Sequence, residues 1–98
     1  MKLTIDQLED LYFEGGSEVD GNTLGVIEEG EWEQDHKFQT LEIIFTDGIK
    51  HYAGDIGRSG SPFTDWIYGS EIHGADTPAD IVEVKQVEIT KTVWKAVD

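Results

Sequence analysis

The sequence predicts an α+β fold, with one short N-terminal helix plus a mostly antiparallel sheet of about four to five strands. Three features predict it. A helix-capping pattern precedes an amphipathic run near the start, an Asp-Gly pair separates two alternating apolar runs, and further alternation follows near the end. The length of 98 residues predicts one small acidic domain over residues 1–98.

The N-terminal helix is predicted from local signals. Thr4 and Gln7 match the capping box, in which the two side chains bind each other's backbone N–H groups. Gly15 follows the amphipathic run, and glycine commonly ends a helix because it tolerates a left-handed backbone. These signals predict a helix over Ile5–Glu14. Its apolar positions at helical spacing are Ile5, Leu8, Leu11 and Tyr12.

Residues 17–35 connect this helix to the predicted sheet. Residues 17–23 are polar, which predicts a loop with a turn at Gly21-Asn22. Residues 24–35 alternate in part, which predicts an edge strand with acids on one face and Trp32 on the other. The acids on that face are Glu29, Glu31 and Glu33.

A β-hairpin is the clearest prediction within the sheet. Phe38–Thr46 and residues 49–55 flank Asp47-Gly48, the pair that favours a two-residue type I′ turn. This register places Tyr52 opposite Ile43. The predicted buried face carries Leu41, Ile43 and Phe45.

The second half of the chain alternates between turn and strand signals. Residues 57–62 are rich in turn formers, and residues 63–68 predict a strand. Residues 69–80 predict a polar connection. Residues 81–97 predict a further strand, with a bulge or break near residues 85–86 where the alternation changes parity.

The charge excludes several classes of partner. There are 21 acidic and 7 basic residues, a formal net charge of −14. Such a chain repels nucleic acids and anionic lipids, so we expect no direct nucleic-acid or membrane binding. The excess is concentrated near the start: residues 1–35 carry eleven acids and one lysine.

The sequence predicts no enzyme, no cofactor and no metal site. The three histidines have no metal-binding spacing, and the absence of cysteine removes thiolate ligands and nucleophiles. No serine lies in a G-x-S-x-G elbow. Residues 58–61 could form a small anion nest, but they lack the lysine and the following helix of a phosphate loop.

The stretch Arg58-Ser-Gly-Ser-Pro-Phe-Thr-Asp-Trp-Ile-Tyr-Gly leaves two interpretations open. It is a turn that leads a strand into the core, or an exposed loop in which Trp66 or Tyr68 anchors a partner. On the second interpretation, Arg58, Trp66 and Tyr68 form a secondary contact.

The same stretch resembles a segment of small bacteriophage proteins of unknown function, with the pattern R-S-G-S-x-x-x-D-[WY]-x-Y and a later ending E-V-x-x-V-x-[VI]-T-x-x-x-W. The resemblance covers about the last 40 residues and implies a phage origin and a compact β-rich domain. It carries no catalytic residue. The matching residues are Arg58, Ser59, Gly60, Ser61, Asp65, Trp66, Tyr68, Val82, Glu83, Val84, Val87, Ile89, Thr90 and Trp94.

Two functions from different classes follow. In the first, a phage-encoded inhibitor in the cytoplasm of a bacterial host presents carboxylates, as a DNA mimic, to the basic surface of a host nucleic-acid-binding protein. Such a target would belong to restriction, CRISPR, repair or transcription. In the second, a structural or accessory phage domain is acidic only for solubility. The oligomeric state, monomer or homodimer, stays open. The predicted partner-binding residues are Glu9, Asp10, Glu14, Glu28, Glu29, Glu31 and Glu33, with Trp32 as an apolar anchor.

Overall fold

The structure, a computed structural model, describes residues 1–60, 65–88, 90 and 92–97. The described residues form two helices and one seven-stranded sheet, so the α+β class and the antiparallel pairing are confirmed, with more strands than predicted. In chain order the elements are α1 Ile5–Glu14, β1 Gly16–Val19, β2 Asn22–Glu29, β3 Glu33–Asp35, β4 Phe38–Thr46, β5 His51–Ser59, β6 Ile67–Tyr68, α2 Gly69–His73 and β7 Ile81–Val84.

Helix α1 has the predicted bounds and both predicted caps. The Thr4 hydroxyl accepts a hydrogen bond from the Gln7 backbone N–H at 3.1 Å, and the Thr4 N–H donates to Gln7 Oε1 at 2.9 Å. Gly15 adopts the left-handed conformation with φ of 77° and donates its N–H to the Leu11 carbonyl. The chain can therefore leave the helix and enter β1 directly.

The sheet is built around β4 and β5, which pair along their whole nine-residue lengths. The free edge of β4 is shared by β2 and β3. The free edge of β5 is shared by β6 and β7. Strand β1 pairs with β2, so the order is β1-β2-β4-β5 followed by β6 or β7, with every pair antiparallel.

One face of this sheet, here called the inner face, packs against α1. The predicted alternation in β4 is confirmed, because Leu41, Ile43 and Phe45 all lie buried on the inner face. Helix α1 lies so close that a Cβ on Gly54 would approach Leu8 Cδ2 to 3.0 Å. The opposite face, here called the outer face, is covered by neither helix.

The β4–β5 hairpin differs from the predicted type I′ hairpin in its loop. Thr46 pairs with His51, which leaves a four-residue loop and places Tyr52 opposite Phe45, not Ile43. The Asp47 carboxylate accepts hydrogen bonds from the N–H groups of Ile49 and Lys50 at 2.9 and 2.8 Å, and so stabilises the longer loop. A type I′ turn needs positive φ at both central residues, and in this pair only Gly48 has it.

A two-residue hairpin turn occurs earlier, where the sequence predicted a polar loop. Val19 pairs with Asn22, so Asp20 and Gly21 alone connect β1 to β2. Both have positive φ, 50° and 81°, as a type I′ turn requires. The turn therefore begins one residue before the predicted Gly21-Asn22 pair, and the flanking polar residues belong to strands.

Four predictions for the second half are corrected. Strand β5 continues to Ser59, so the first residues of the predicted 57–62 turn are strand. Within the described residues, the predicted 63–68 strand is reduced to β6. Residues 61–64 lie outside the described part of the chain. The connection over residues 69–80 contains α2, and β7 covers only the first four residues of the predicted 81–97 strand. None of the described helices is long and apolar enough to span a membrane.

Candidate functional site

The outer face carries a cluster of carboxylates around a shallow depression of about 340 Å³. Glu42 of β4 and Asp55 of β5 are direct cross-strand partners there. The loop between β2 and β3 is held against β4 by a hydrogen bond from the Gly30 N–H to the Glu42 carbonyl at 2.8 Å. This depression, here called the acidic pocket, is lined by Gly30, Glu31, Glu33, Thr40, Glu42 and Asp55.

The acidic pocket concentrates negative charge without compensation. Within the described part of the chain, the ion pair at 3.9 Å joins Lys50 to Glu83, and none involves the four acids of the pocket. Like charges directly opposite each other on a sheet repel, as Glu42 and Asp55 do. No described residues form a group of three or more His, Asp or Glu side chains placed to hold a metal ion.

The acids predicted in the β2–β3 region lie largely on this side of the molecule. Glu31 and Glu33 line the acidic pocket, and Glu28 is an exposed residue opposite Ile44 on the outer face. Glu29, at the end of β2, is also exposed. Glu42 and Asp55 are not among the predicted site residues. They alternate with the buried residues of their strands, and this alternation places them on the outer face.

The helix acids lie on the other side of the sheet. Asp10 and Glu14 are exposed on α1, and Asp6 precedes them at the same four-residue spacing. Since α1 packs on the inner face, these side chains and the acidic pocket lie on opposite sides of the sheet. The structure therefore divides the predicted partner-binding set into two separate surfaces.

Glu9 is not on a surface, contrary to its predicted role. It is 5% exposed, and its Oε2 accepts a hydrogen bond from the Ser70 N–H at 3.0 Å while its Oε1 accepts from the Ser70 hydroxyl at 2.5 Å. Ser70 lies in the first turn of α2, where the preceding Tyr68 provides no side-chain cap. Glu9 supplies that acceptor from α1 and is therefore unavailable to a partner.

Arg58 lies between two tryptophan rings. Its Cζ is 3.8 Å from the ring centroid of Trp32 and 4.1 Å from that of Trp66. Its Nε donates a hydrogen bond to Gln39 Oε1 at 2.9 Å, and its Nη1 donates to the Tyr68 hydroxyl at 3.4 Å. These contacts hold the guanidinium from several directions. The three residues Trp32, Arg58 and Trp66 are called the tryptophan clamp below.

The tryptophan clamp positions part of the acidic pocket. Trp32 is half-buried and packs against the core, and its ring meets that of Tyr12 edge-on at 6.1 Å. Its neighbours Glu31 and Glu33 are exposed, which matches the predicted separation of acids from Trp32. Trp32 is anchored to Arg58, which holds the backbone between Glu31, in the β2–β3 loop, and Glu33, the first residue of β3.

The clamp also decides between the interpretations of the stretch that begins at Arg58. Arg58 and Ser59 belong to β5, and Arg58 pairs with Tyr68 of β6, so the first half of the predicted anion nest is a paired strand. Ser61 lies outside the described residues. Trp66 and Tyr68 are both half-buried, and Tyr68 packs against the core. These contacts favour the first interpretation, in which the stretch leads a strand into the core.

Comparison with known proteins identifies a family. No curated protein and no solved structure shows significant similarity to the chain. Residues 1–97 match the sequence profile described as the phage T4 Y04K protein, which covers the acidic N-terminal third as well as the segment resembling phage proteins. The match supports the phage origin and does not test the specific segment pattern. The chain belongs to the phage T4 Y04K protein family.

Proposed function

We propose that this phage protein is an inhibitor that binds the basic, nucleic-acid-binding surface of a host protein. The observation that carries the proposal is the acidic pocket, in which four carboxylates surround one depression without a cationic partner among the described residues. A basic groove that accepts phosphates also accepts carboxylates, because both are acceptor-only anions that pair with Arg and Lys.

The placement of the acidic pocket on strands favours this use. Glu42 and Asp55 are cross-strand partners, so their Cα atoms are about 5 Å apart and their side chains point the same way. Glu31 and Glu33 flank Trp32 in the chain, and the Trp32 ring stacks on Arg58. A preorganised set of charges loses little side-chain entropy on binding. The net charge of −14 also steers a basic partner toward the protein and makes association fast and salt-dependent.

Two matched variants test the proposal. Glu31→Gln, Glu33→Gln and Glu42→Gln neutralise the outer face, whereas Asp6→Asn, Asp10→Asn and Glu14→Gln remove the same charge from α1. Each variant and the unmodified protein are used to capture proteins from bacterial lysate at low and high salt, with identification by mass spectrometry. Captured partners are purified and tested for competition between this protein and nucleic acid.

We expect a nucleic-acid-binding partner that is lost at high salt and with the outer-face variant, and that is retained by the helix variant. Equal weakening by both variants would show that only net charge matters. A partner that binds this protein and nucleic acid together, without competition, would refute the mimic.

A second candidate is an accessory phage domain that assembles with itself. It is favoured by apolar side chains near the C-terminus that nothing in the described structure covers, among them Trp94 and Val97. For this function the outer-face variant would leave assembly intact, because the acids would serve only solubility. The outer-face variant therefore distinguishes the inhibitor from the accessory domain.

A further inference from the structure

The described residues beyond β7 are all exposed. Residues 85–88, 90 and 92–97 have no regular secondary structure, and their large apolar side chains are exposed. Trp94 is fully exposed, and Val93 and Val97 are exposed beside it. The Cα radius of gyration is 16.7 Å, whereas a compact domain of this length has about 13 Å. Val87, Val93, Trp94 and Val97 are thus four exposed apolar side chains within eleven residues, and a group of this kind, unlike a single exposed residue, marks an interaction site.

A matching surface exists on the outer face, at the end away from the acidic pocket. A groove of about 320 Å³ lies over β2, β4, β5 and β7, with Ile27, Ile44 and Val84 as its apolar lining. Ile27 is 55% exposed at the β2 bulge, so the groove is open to solvent. This size is at the lower end of ligand pockets and suits one indole ring. We call it the apolar groove.

Charge favours a second copy of this chain as the occupant. Three of the seven basic residues lie after Val84, and one of them, Lys95, directly follows Trp94. The segment after Val84 carries three lysines and two acids, a net charge of +1, whereas residues 1–84 carry nineteen acids and four bases, a net charge of −15. The polar lining of the apolar groove is Glu28, His51, Lys85 and Gln86, so the complementary charge lies on the acidic body around the groove. A basic segment with an apolar anchor is thus complementary to an acidic body with an apolar groove.

The sequence of the segment disfavours docking of Trp94 in the apolar groove of its own chain. Val84, Lys85 and Gln86 line the apolar groove, so Trp94 of the same chain would have to reverse direction within a few residues to reach it. Residues 85–98 contain no Gly, Pro or Asn, the residues that make tight reversals. An extended segment of this composition reaches a neighbouring molecule instead.

We propose that two copies exchange their C-terminal segments, so that Trp94 of each copy docks in the apolar groove of the other. A two-fold arrangement makes both contacts identical and closes the assembly. Each contact buries an indole, a side chain enriched among residues that dominate binding energy. The proposal does not depend on inhibitor activity, because the acidic pocket lies at the other end of the outer face.

Sedimentation of the full chain over a concentration series tests the exchange. We expect the unmodified protein to sediment at twice its 11.0 kDa mass at high concentration. Trp94→Ala should weaken dimerisation at least about tenfold without changing the folded signal in circular dichroism, because Trp94 contacts no core residue. The matched control is Ile49→Ala, which truncates an 87% exposed apolar residue in the β4–β5 loop and should dimerise normally.

A mixing experiment identifies the two halves of the contact. Ile27→Asp blocks the apolar groove and leaves Trp94 intact, whereas Trp94→Ala has the opposite defect. Each variant alone should be monomeric, and an equimolar mixture should recover part of the dimer through one intact contact. A monomeric unmodified protein, an undiminished Trp94→Ala dimer, or a mixture that stays monomeric would each overturn the proposal. The outer-face variant of the inhibitor test should still dimerise. Loss of host-protein binding in that variant can therefore be distinguished from loss of dimerisation.

Discussion

The carboxylate of Glu9 binds both the backbone N–H and the hydroxyl of Ser70, and so joins the middle of α1 to the first turn of α2. We expect Glu9→Ala to lower the free energy of unfolding by about 1–3 kcal/mol, because the part-buried N–H and hydroxyl of Ser70 lose their acceptor. Urea denaturation measures this. The matched control is Asp10→Ala on the exposed side of α1, which should change stability by less than about 0.5 kcal/mol.

A double-mutant cycle assigns the effect to this pair. Glu9→Ala and Ser70→Ala, singly and together, should show a coupling energy of about 0.5–3 kcal/mol. Additive effects would mean that the two side chains contribute to stability independently.

Arg58 in the tryptophan clamp should not tolerate lysine. Arg58→Lys keeps the charge but loses the planar group that stacks on Trp32 and Trp66. We expect a loss of about 1–2 kcal/mol and a change in tryptophan fluorescence, both followed during urea denaturation. Lys50→Ala, which breaks an exposed ion pair with Glu83, should have almost no effect. Unchanged stability in Arg58→Lys would show that the stacking is energetically neutral.

Gly54 is required for the approach of α1 to the sheet. A Cβ there would lie 3.0 Å from Leu8 Cδ2 and 3.2 Å from Leu8 Cδ1, and Leu8 is buried. We expect Gly54→Ala to destabilise the protein by about 1–3 kcal/mol through overpacking. Gly57→Ala is the control in the same strand, because a Cβ at that position meets no heavy atom within 4 Å. If both variants lose the same amount, the contact with Leu8 is not the cause.

Asp47 should titrate below the ordinary aspartate range. The N–H of Lys50 and then that of Ile49 lower the pKa of its carboxyl group by stabilising the charged form. Since the pKa is lower in the folded state, this stabilisation is present above the unfolded pKa and is lost as pH falls through the folded pKa.

Carbon-detected NMR titration checks the direction of that shift. The difference in the free energy of unfolding between the unmodified protein and Asp47→Ala should be largest at neutral pH. It should disappear once the pH falls below the pKa of Asp47 in the folded state. A difference that persists below the folded pKa would contradict the assignment to the charged carboxylate.

Features that depend on neighbouring residues in the chain were determined by the sequence alone. Helix α1 has its predicted bounds because the Thr4–Gln7 capping box and Gly15 act within a few residues of each helix end. The inner face of β4 was also predicted, even though the hairpin register was wrong by two residues. A strand has a side-chain period of two, so such an error leaves Ile43 and Phe45 on the same face.

Only the tertiary structure decided the contacts between distant residues. Glu9 looks in the sequence like one more acid of an amphipathic helix, and its burial depends on Ser70, 61 positions away. The tryptophan clamp likewise depends on β4 and β5 bringing Trp32 and Arg58 together, and the acidic pocket on the pairing of Glu42 with Asp55. Such contacts follow strand register and helix docking. Strand register and helix docking are set by core packing over the whole chain, whereas the hydrogen bonds of a capping box form within a single turn of helix.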